Sequence, residues 1–251
     1  MTWSLESVLV TGAASGLGRE VAIGLAAPRV HAFCLDKSAK ALDETVGMVK
    51  ESGGTADAFE ADVSSDPQLG HVFTQIAKSG HLLDGLVTCA GITNQTPILE
   101  LTVEEWDRCL AVNLRGTFLC VQGALRQMVP RKVGRIVTVG SDVGKRGGGR
   151  LAKSAYGAAK GGVIIFTKSV ARELAGLNAG IRVNCVCPGP MQTNMNASMS
   201  DETRRTIEAT LPLGRIGKPS EVAAGIIFLL SDEASYVYGE TFNVDGGVVM
   251  D

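Results

Sequence analysis

The chain has 251 residues, of which 45% are hydrophobic and 20% are charged, and its formal net charge is −2. This length and apolar content suit one α/β domain with a sizeable core. The near-neutral charge argues against nucleic acid or an anionic membrane as a partner, because both favour a strongly basic face. The sequence has no apolar run long enough to span a bilayer and no signal peptide ahead of the first predicted strand, so we expect a cytoplasmic protein without membrane contact.

Predicted strands and helices alternate along the whole chain, which indicates a doubly wound, mostly parallel, seven-stranded sheet with helices on both faces. We expect it to form a single domain, residues 1–251. The predicted strands are Ser7–Thr11, Arg29–Leu35, Thr55–Ala61, Leu86–Cys89, Arg135–Val139, Ile181–Val186 and Thr241–Val244. The predicted helices are Gly16–Ala27, Ala39–Ser52, Pro67–Ser79, Val103–Val129, Ser154–Leu177 and Pro219–Leu230, with Pro28 and Pro130 each ending a helix.

The stretch from about 190 to 213 interrupts this alternation. It follows the sixth predicted strand and contains a short polar helix candidate, Asp201–Thr210, together with Met191, Met195 and Met199. A long insertion at the carboxyl edge of an open α/β sheet lies where ligands bind. We therefore predict a substrate lid here, in which the methionines form either an adaptable apolar wall or ordinary packing.

A glycine-rich turn, residues 11–18 with the sequence TGAASGLG, joins the first strand to the first helix. Glycine permits a tight turn and lets a pyrophosphate approach the main chain, while the helix amino terminus offers free N–H groups. Asp36 ends the second strand, where a carboxylate binds ribose hydroxyls and repels a 2′-phosphate. The adjacent Lys37 would tolerate NADP, but Ser15 rather than a basic residue precedes the second glycine, and we predict NAD.

The spacing Gly12-x-x-x-Gly16-x-Gly18 resembles that of the short-chain dehydrogenase/reductase family, and the resemblance covers essentially the whole chain. It implies a Rossmann-like fold and a nicotinamide cofactor. It also implies that Asp62-Val63 contacts the adenine and that the segment from Pro188-Gly189 to Thr193 contacts the nicotinamide end. Cys89 departs from the pattern, because the family usually has asparagine there. The predicted cofactor contacts are Gly12, Ser15, Gly16, Leu17, Gly18, Asp36, Asp62, Val63, Ala90, Gly91, Tyr156, Lys160, Pro188, Gly189 and Thr193.

Tyr156 and Lys160 are four residues apart, which places both side chains on one face of a helix. A nearby ammonium and a cationic nicotinamide favour the phenolate, so we expect a lowered pKa for Tyr156, which the resemblance identifies as the acid/base. Ser141 resembles the serine that holds the substrate oxygen, although its gap to Tyr156 is about two residues longer than the family pattern. Asn113 matches the family asparagine that anchors a proton-relaying water.

These residues predict an NAD(H)-dependent oxidoreductase that interconverts a secondary alcohol, polyol or hydroxy acid and the corresponding ketone. A second candidate is a 3-oxoacyl-thioester reductase, which would use Arg131-Lys132 to dock an acidic carrier. Such reductases usually prefer NADPH, which Asp36 opposes, and tend to carry a basic residue where this chain has Asn178-Ala179. A sugar-nucleotide epimerase or dehydratase is a third candidate, and a nucleotide-binding regulatory protein that has lost its chemistry is a fourth.

Three further expectations concern charge, thiols and assembly. The cations that follow the serine form either a seat for an anionic substrate or, as we slightly prefer, a solvated loop; they are Lys145, Arg146, Arg150 and Lys153. Among the six cysteines only Cys185 and Cys187 are closely spaced, so we expect reduced, buried thiols and no metal. The resemblance implies a homotetramer, in which small residues permit close approach of long helices: Gly157, Ala158, Ala159, Gly161 and Gly162.

Overall fold

The structure is a computed structural model, which describes residues 2–27, 29–149, 152–193 and 199–250. Its strands are β1 (Ser7–Thr11), β2 (His31–Asp36), β3 (Ala56–Glu60), β4 (Leu83–Thr88), β5 (Gly134–Val139), β6 (Ile181–Pro188) and β7 (Thr241–Val244). Its helices are α1 (Gly16–Gly24), α2 (Ala39–Glu51), α3 (Asp66–Lys78), α4 (Val103–Leu110), α5 (Gly116–Met128), α6 (Asp142–Arg146), α7 (Ser154–Gly176), α8 (Asp201–Glu208) and α9 (Pro219–Leu230).

All seven strands pair in parallel, in the order β3-β2-β1-β4-β5-β6-β7. The prediction of a doubly wound parallel sheet is therefore confirmed. The chain builds outward from β1 to β3 and then returns to place β4 on the other side of β1. In open α/β sheets such a reversal leaves a crevice at the carboxyl ends of the two central strands, and ligands bind there.

The central strands β1, β4 and β6 are buried on both faces, as their apolar sequences predict. Along β1 the side chains alternate, because successive residues of a strand point to opposite faces. Val8 and Val10 pack with α1 and α9 in one core cluster, whereas Leu9 packs with α3 and α5 in the other. Continuous Val/Leu/Ile runs therefore serve two hydrophobic cores at once.

Three elements differ from the sequence prediction. The predicted helix Val103–Val129 is divided by a π-helical turn, Ala111–Arg115, and ends in a 3₁₀ turn, Val129–Arg131, that contains Pro130. The short helix α6 follows β5 and was not predicted. Helix α1 ends at Gly24, before Pro28, and Pro28 itself lies outside the described residues.

Within the described ranges, no helix combines the length and the apolar character that crossing a bilayer requires. The same part of the chain contains no group of three or more histidine, cysteine or acidic side chains that could hold a metal ion.

Candidate active site

A cavity of about 1410 Å³ lies at the carboxyl edge of the sheet, beyond the ends of the neighbouring strands β1 and β4. Its walls come from the turn after β1, from the ends of β2, β4, β5 and β6, and from the segment around α8. All predicted cofactor contacts line it, and so does Ser141. Asn113 is the predicted site residue that does not line the cavity, because it lies buried behind the wall.

The turn after β1 has a backbone that only glycine can supply. Gly12 has a φ of +67°, and a Cβ there would lie 2.7 Å from the backbone nitrogen of Ala90. A Cβ at Gly18 would overlap the carbonyl oxygen of Gly12. Ser15 is extended and makes no side-chain bond to the start of α1 within the described residues. The helix amino terminus therefore presents its N–H groups to the cavity, as a pyrophosphate requires.

The Asp36 carboxylate is held beside this turn by main-chain donors. Its Oδ2 accepts a hydrogen bond from the Ala14 N–H at 3.3 Å, and its Oδ1 accepts one from the Ser38 N–H at 3.2 Å. Asp62 lies at the same end of the cavity, and hydrogen bonds from Ser64 hold its pKa below the ordinary value. The glycine turn, the uncapped helix start and the fixed carboxylate together fit a dinucleotide.

Tyr156, Ser141 and Lys160 come together at the other end of the cavity. Ser141 follows β5, and its Oγ accepts a hydrogen bond from the Val143 N–H at 3.2 Å while forming another with Tyr156. The Lys160 ammonium lies 5.8 Å from the centroid of the Tyr156 ring and donates to the Val139 carbonyl at 2.7 Å. Tyr156 and Lys160 of α7 and Ser141 after β5 thus lie together at one end of the cavity.

The surroundings of Tyr156 oppose its ionisation. Burial raises the pKa of Tyr156 to about 12, the hydrogen bond with Ser141 acts to lower it, and the charge of Asp142 raises it further. Burial also lowers the pKa of Lys160. The sequence predicts a lowered pKa for Tyr156 from Lys160 and nicotinamide together. In the structure the side chains around Tyr156 raise its pKa, because the loss of solvation on burial outweighs the effect of the Lys160 ammonium. A lowered pKa of Tyr156 would therefore have to come from the positive charge of the cofactor.

Asn113 occupies the middle of the π-helical turn and is fully buried. Its Nδ2 donates to the carbonyl oxygens of Ile92 and Cys109, both at 2.9 Å, and its Oδ1 accepts from the Ile92 N–H at 3.2 Å. This amide ties the segment after β4 to the helix. A Cβ at Gly91 would lie 2.7 Å from Asn113 Oδ1, so the glycine permits this close contact.

An ion pair that was not predicted from the sequence lies beside Ser141. Asp142 and Arg146 both line the cavity, and Arg146 donates to Asp142 Oδ2 from Nε at 2.9 Å and from Nη2 at 2.7 Å. Arg146 therefore lies in the short helix α6 rather than in a loop, and its side chain is partly exposed and paired with Asp142. An acid four residues before a base was the available signal. Arg150 lies outside the described residues, as does Met195 of the predicted lid.

Although Cys89 stands where the family usually has asparagine, a hydrogen bond still joins the central strands β1 and β4. Ala90 N–H donates to Thr11 Oγ1 at 3.2 Å, which joins the ends of β1 and β4. The Cys89 thiol lines the cavity, and burial raises its pKa to about 12. All six cysteines are free.

Comparison with known proteins identifies the family. A family model described as enoyl-(acyl carrier protein) reductase matches residues 12–249. A 3-oxoacyl-(acyl-carrier-protein) reductase of Thermotoga maritima is 38% identical over 242 residues, which cover 96% of this chain and 97% of the relative. A (3R)-3-hydroxyacyl-CoA dehydrogenase of Rattus norvegicus is 37% identical over 251 residues, covering 96% and 95%. The crystal structure of a 3-oxoacyl-(acyl-carrier-protein) reductase from Brucella melitensis aligns with a TM-score of 0.91 at 32% identity, covering 98% of this chain and 92% of that one.

The chain belongs to the short-chain dehydrogenase/reductase family. It is an oxidoreductase that interconverts CH–OH and keto groups with a nicotinamide cofactor. These relatives support the 3-oxoacyl-thioester candidate better than our first prediction of a general secondary-alcohol dehydrogenase. The epimerase and the inactive regulatory protein gain no support from them.

Proposed function

We propose that this protein interconverts a 3-oxoacyl thioester and the 3-hydroxyacyl thioester, with NAD(H) as the hydride carrier. One observation carries the substrate class. Two relatives that match more than nine-tenths of the chain at similar identity are named for opposite ends of this reaction, one for the 3-oxoacyl group and one for the 3-hydroxyacyl group. The substrate is thus that of the 3-oxoacyl-thioester reductase candidate, and the cofactor NAD(H) is that of the secondary-alcohol dehydrogenase candidate.

We favour coenzyme A over an acidic carrier protein as the acyl carrier, because Arg131, one of the two residues predicted to dock such a carrier, is engaged within the fold. Arg131, which the sequence offered as a docking residue, binds Asp84 at 2.6 Å and also donates to the carbonyls of Gln127 and Leu83. It precedes β5, so it lies at the edge of the sheet opposite the cavity. Its guanidinium is occupied in holding the fold together and has little left for a partner.

A bound nicotinamide would supply the hydride chemistry at the keto or hydroxyl carbon. Tyr156 holds the transferred proton on its phenolic oxygen, and Ser141 orients the substrate oxygen beside it. Lys160 binds the nicotinamide ribose and adds positive charge next to Tyr156. Asn113 holds the main chain around Ile92 and anchors a water that carries the proton onward.

Asp36 supports NAD(H) over NADP(H). Its two main-chain hydrogen bonds fix the carboxylate where it would accept the ribose hydroxyls. A 2′-phosphate at that place would meet a negative charge in a partly enclosed site.

We further propose one domain with a lid at about 190–213, a cytoplasmic location and a homotetramer. Two of the small residues of α7 that we expected at the interface, Gly161 and Gly162, pack against Gly144 and Leu114 of the same chain. Exposed apolar side chains on α5, α7 and β7 also support the assembly: Phe118, Ile165 and Phe242. Light scattering after gel filtration should give four times the chain mass, and a monomeric mass would contradict this proposal.

The substrate proposal is tested with acetoacetyl-CoA in one arm and 2-butanone, cyclohexanone and a ketose in the other, each with NADH and with NADPH. We expect catalytic efficiency for acetoacetyl-CoA to exceed that for each simple ketone by at least about 100-fold, because remote binding energy is used in the transition state. A higher catalytic efficiency with a simple ketone would favour a general secondary-alcohol dehydrogenase instead.

A further inference from the structure

The pair formed by Asp142 and Arg146 has no role in the mechanism above, although it lies next to the residue that orients the substrate oxygen. Ser141 Oγ lies 3.0 Å from Asp142 Oδ1, and Asp142 Oδ2 accepts both bonds from Arg146. Ser141, Asp142 and Arg146 are therefore linked by hydrogen bonds, and all three line the same cavity as Tyr156.

The two members of the pair differ in exposure in a way that suits recognition. The Asp142 side chain is 5% exposed, whereas that of Arg146 is 44% exposed and lines the cavity. Arg146 uses Nε and Nη2 on Asp142, and within the described residues its Nη1 donates no hydrogen bond. A guanidinium has five donor hydrogens, so several stay available for a molecule in the cavity.

The helix that carries the pair is held rigidly. A Cβ at Gly144, in the middle of α6, would lie 2.7 Å from the carbonyl carbon of Lys160 and 2.8 Å from the nitrogen of Gly161. Backbone therefore packs directly on backbone between α6 and α7. The positions of Arg146 and of the Tyr156–Lys160 pair are fixed relative to each other, as a specificity contact requires.

We propose that Arg146 is a specificity-determining residue that binds a second carbonyl oxygen of the substrate, two carbons from the reacting one, and that Asp142 holds it in place. In a 3-oxoacyl thioester this oxygen is that of the thioester carbonyl. The inference rests on the proposed function for the identity of that group, but it applies to any 1,3-dicarbonyl substrate.

The charge of the pair specifies the ligand further. Asp142 compensates the positive charge of Arg146, so the pair offers directed N–H donors without net charge. Such a site suits a neutral carbonyl better than a free carboxylate, which would meet Asp142 at short range. The protein should therefore select a thioester over the free 3-oxo acid.

The experiment compares 2,4-pentanedione with 2-pentanone, which differ only in the second carbonyl and contain no thioester. Replacing Arg146 in Arg146→Met should raise KM for 2,4-pentanedione by about 10-fold or more, since a charged donor is lost, with little change for 2-pentanone. Acetoacetyl-CoA should respond as the diketone does. The control variant Lys168→Met removes an equal charge from the exposed side of α7. It should leave KM for 2,4-pentanedione and for 2-pentanone unchanged.

A second variant protects the test against misfolding and probes Asp142. Because Arg146→Met leaves a buried carboxylate unpaired, the double variant D142N/R146M gives the same comparison with no unpaired charge. Asp142→Asn alone should raise the efficiency for acetoacetate relative to acetoacetyl-CoA by about 10-fold, since the guanidinium charge is no longer compensated.

The outcomes separate the two proposals. One outcome is that the Arg146 variants show a raised KM for 2,4-pentanedione alone while the wild type does not turn over acetoacetyl-CoA. In that case the thioester is not the substrate, and the contact between Arg146 and a second carbonyl is supported. If the diketone and the monoketone fall together in both Arg146 variants, or neither changes, the role assigned to Arg146 is wrong.

Discussion

At the scale of single residues, the two charges near Tyr156 have opposite effects on its ionisation. Lys160, almost fully buried at 4% exposed, favours the phenolate from one side. Asp142 favours the neutral phenol from the other side, and burial does the same. The protonated form is the one that donates to a keto oxygen, so the surroundings of Tyr156 in this chain suit reduction.

Asp36 gives the first residue-scale prediction. Asp36→Ala should weaken NADH binding by about 10- to 100-fold, because a charged acceptor for ribose hydroxyls is lost, and should erase the preference over NADPH. Fluorescence titration with both cofactors measures this. Glu60→Ala is the matched control, since Glu60 pairs with Asp36 across β2 and β3 but does not line the cavity. A wild type that binds NADPH more tightly would refute our choice of cofactor.

Local motifs predicted most of the candidate site at this scale. Tyr156 and Lys160 share a helix face because of a four-residue spacing, and Asp36 follows a strand at the expected distance from the glycine turn. The direction of the Tyr156 pKa could not be predicted, because desolvation depends on elements that are distant in sequence. Asp142 was missed because its partner and its burial appear only once α6 forms.

At the scale of elements, the contact between α6 and α7 supports the site. Gly144→Ala should destabilise the protein by about 1–3 kcal/mol, because the new Cβ would press on the backbone of α7. Gly70→Ala is the control: Gly70 lies in α3 with no atom near its added Cβ. There alanine should stabilise by about 0.5–1 kcal/mol through helix propensity. Chemical denaturation of both variants measures this, and equal effects would contradict the packing argument.

The start of β2 carries a pH-sensitive contact. His31 stacks on His81 with ring centroids 4.2 Å apart and lies 3.3 Å from Asp57, and burial lowers its pKa below 6.5. The unfolded chain therefore binds this proton more readily than the folded one, so stability falls as pH drops below about 6.5. Urea denaturation at pH 7.5 and 5.5 should show a larger loss for the wild type than for His31→Gln. An equal loss would remove His31 as the cause.

The π-helical turn marks the limit of prediction for elements. The spacing of apolar residues in Val103–Val129 predicts one helix. That spacing gives no sign of the π-helical turn. The turn forms because the Asn113 amide takes the carbonyl of Cys109 and at the same time binds the main chain at Ile92. Such a contact between distant segments overrides local propensity.

At the scale of the whole molecule, the alternation of strands and helices predicted the parallel sheet, because parallel strands need crossover helices between them. The strand order then places every predicted cofactor contact around one cavity. The substrate could not be predicted in this way. The cavity walls that we propose for the substrate include α6 and the segment around α8, whose sequences follow no general period, and relatives supplied the thioester class instead.

The most direct test of the account is the rate at which the purified protein consumes NADH when acetoacetyl-CoA is added, measured for the wild type and Tyr156→Phe together. We expect turnover by the wild type and a loss of at least about 100-fold in kcat for Tyr156→Phe, since the phenolic proton donor is removed. Fluorescence titration should show that the variant still binds NADH. Near wild-type turnover by Tyr156→Phe, or none by the wild type with this thioester, would contradict it.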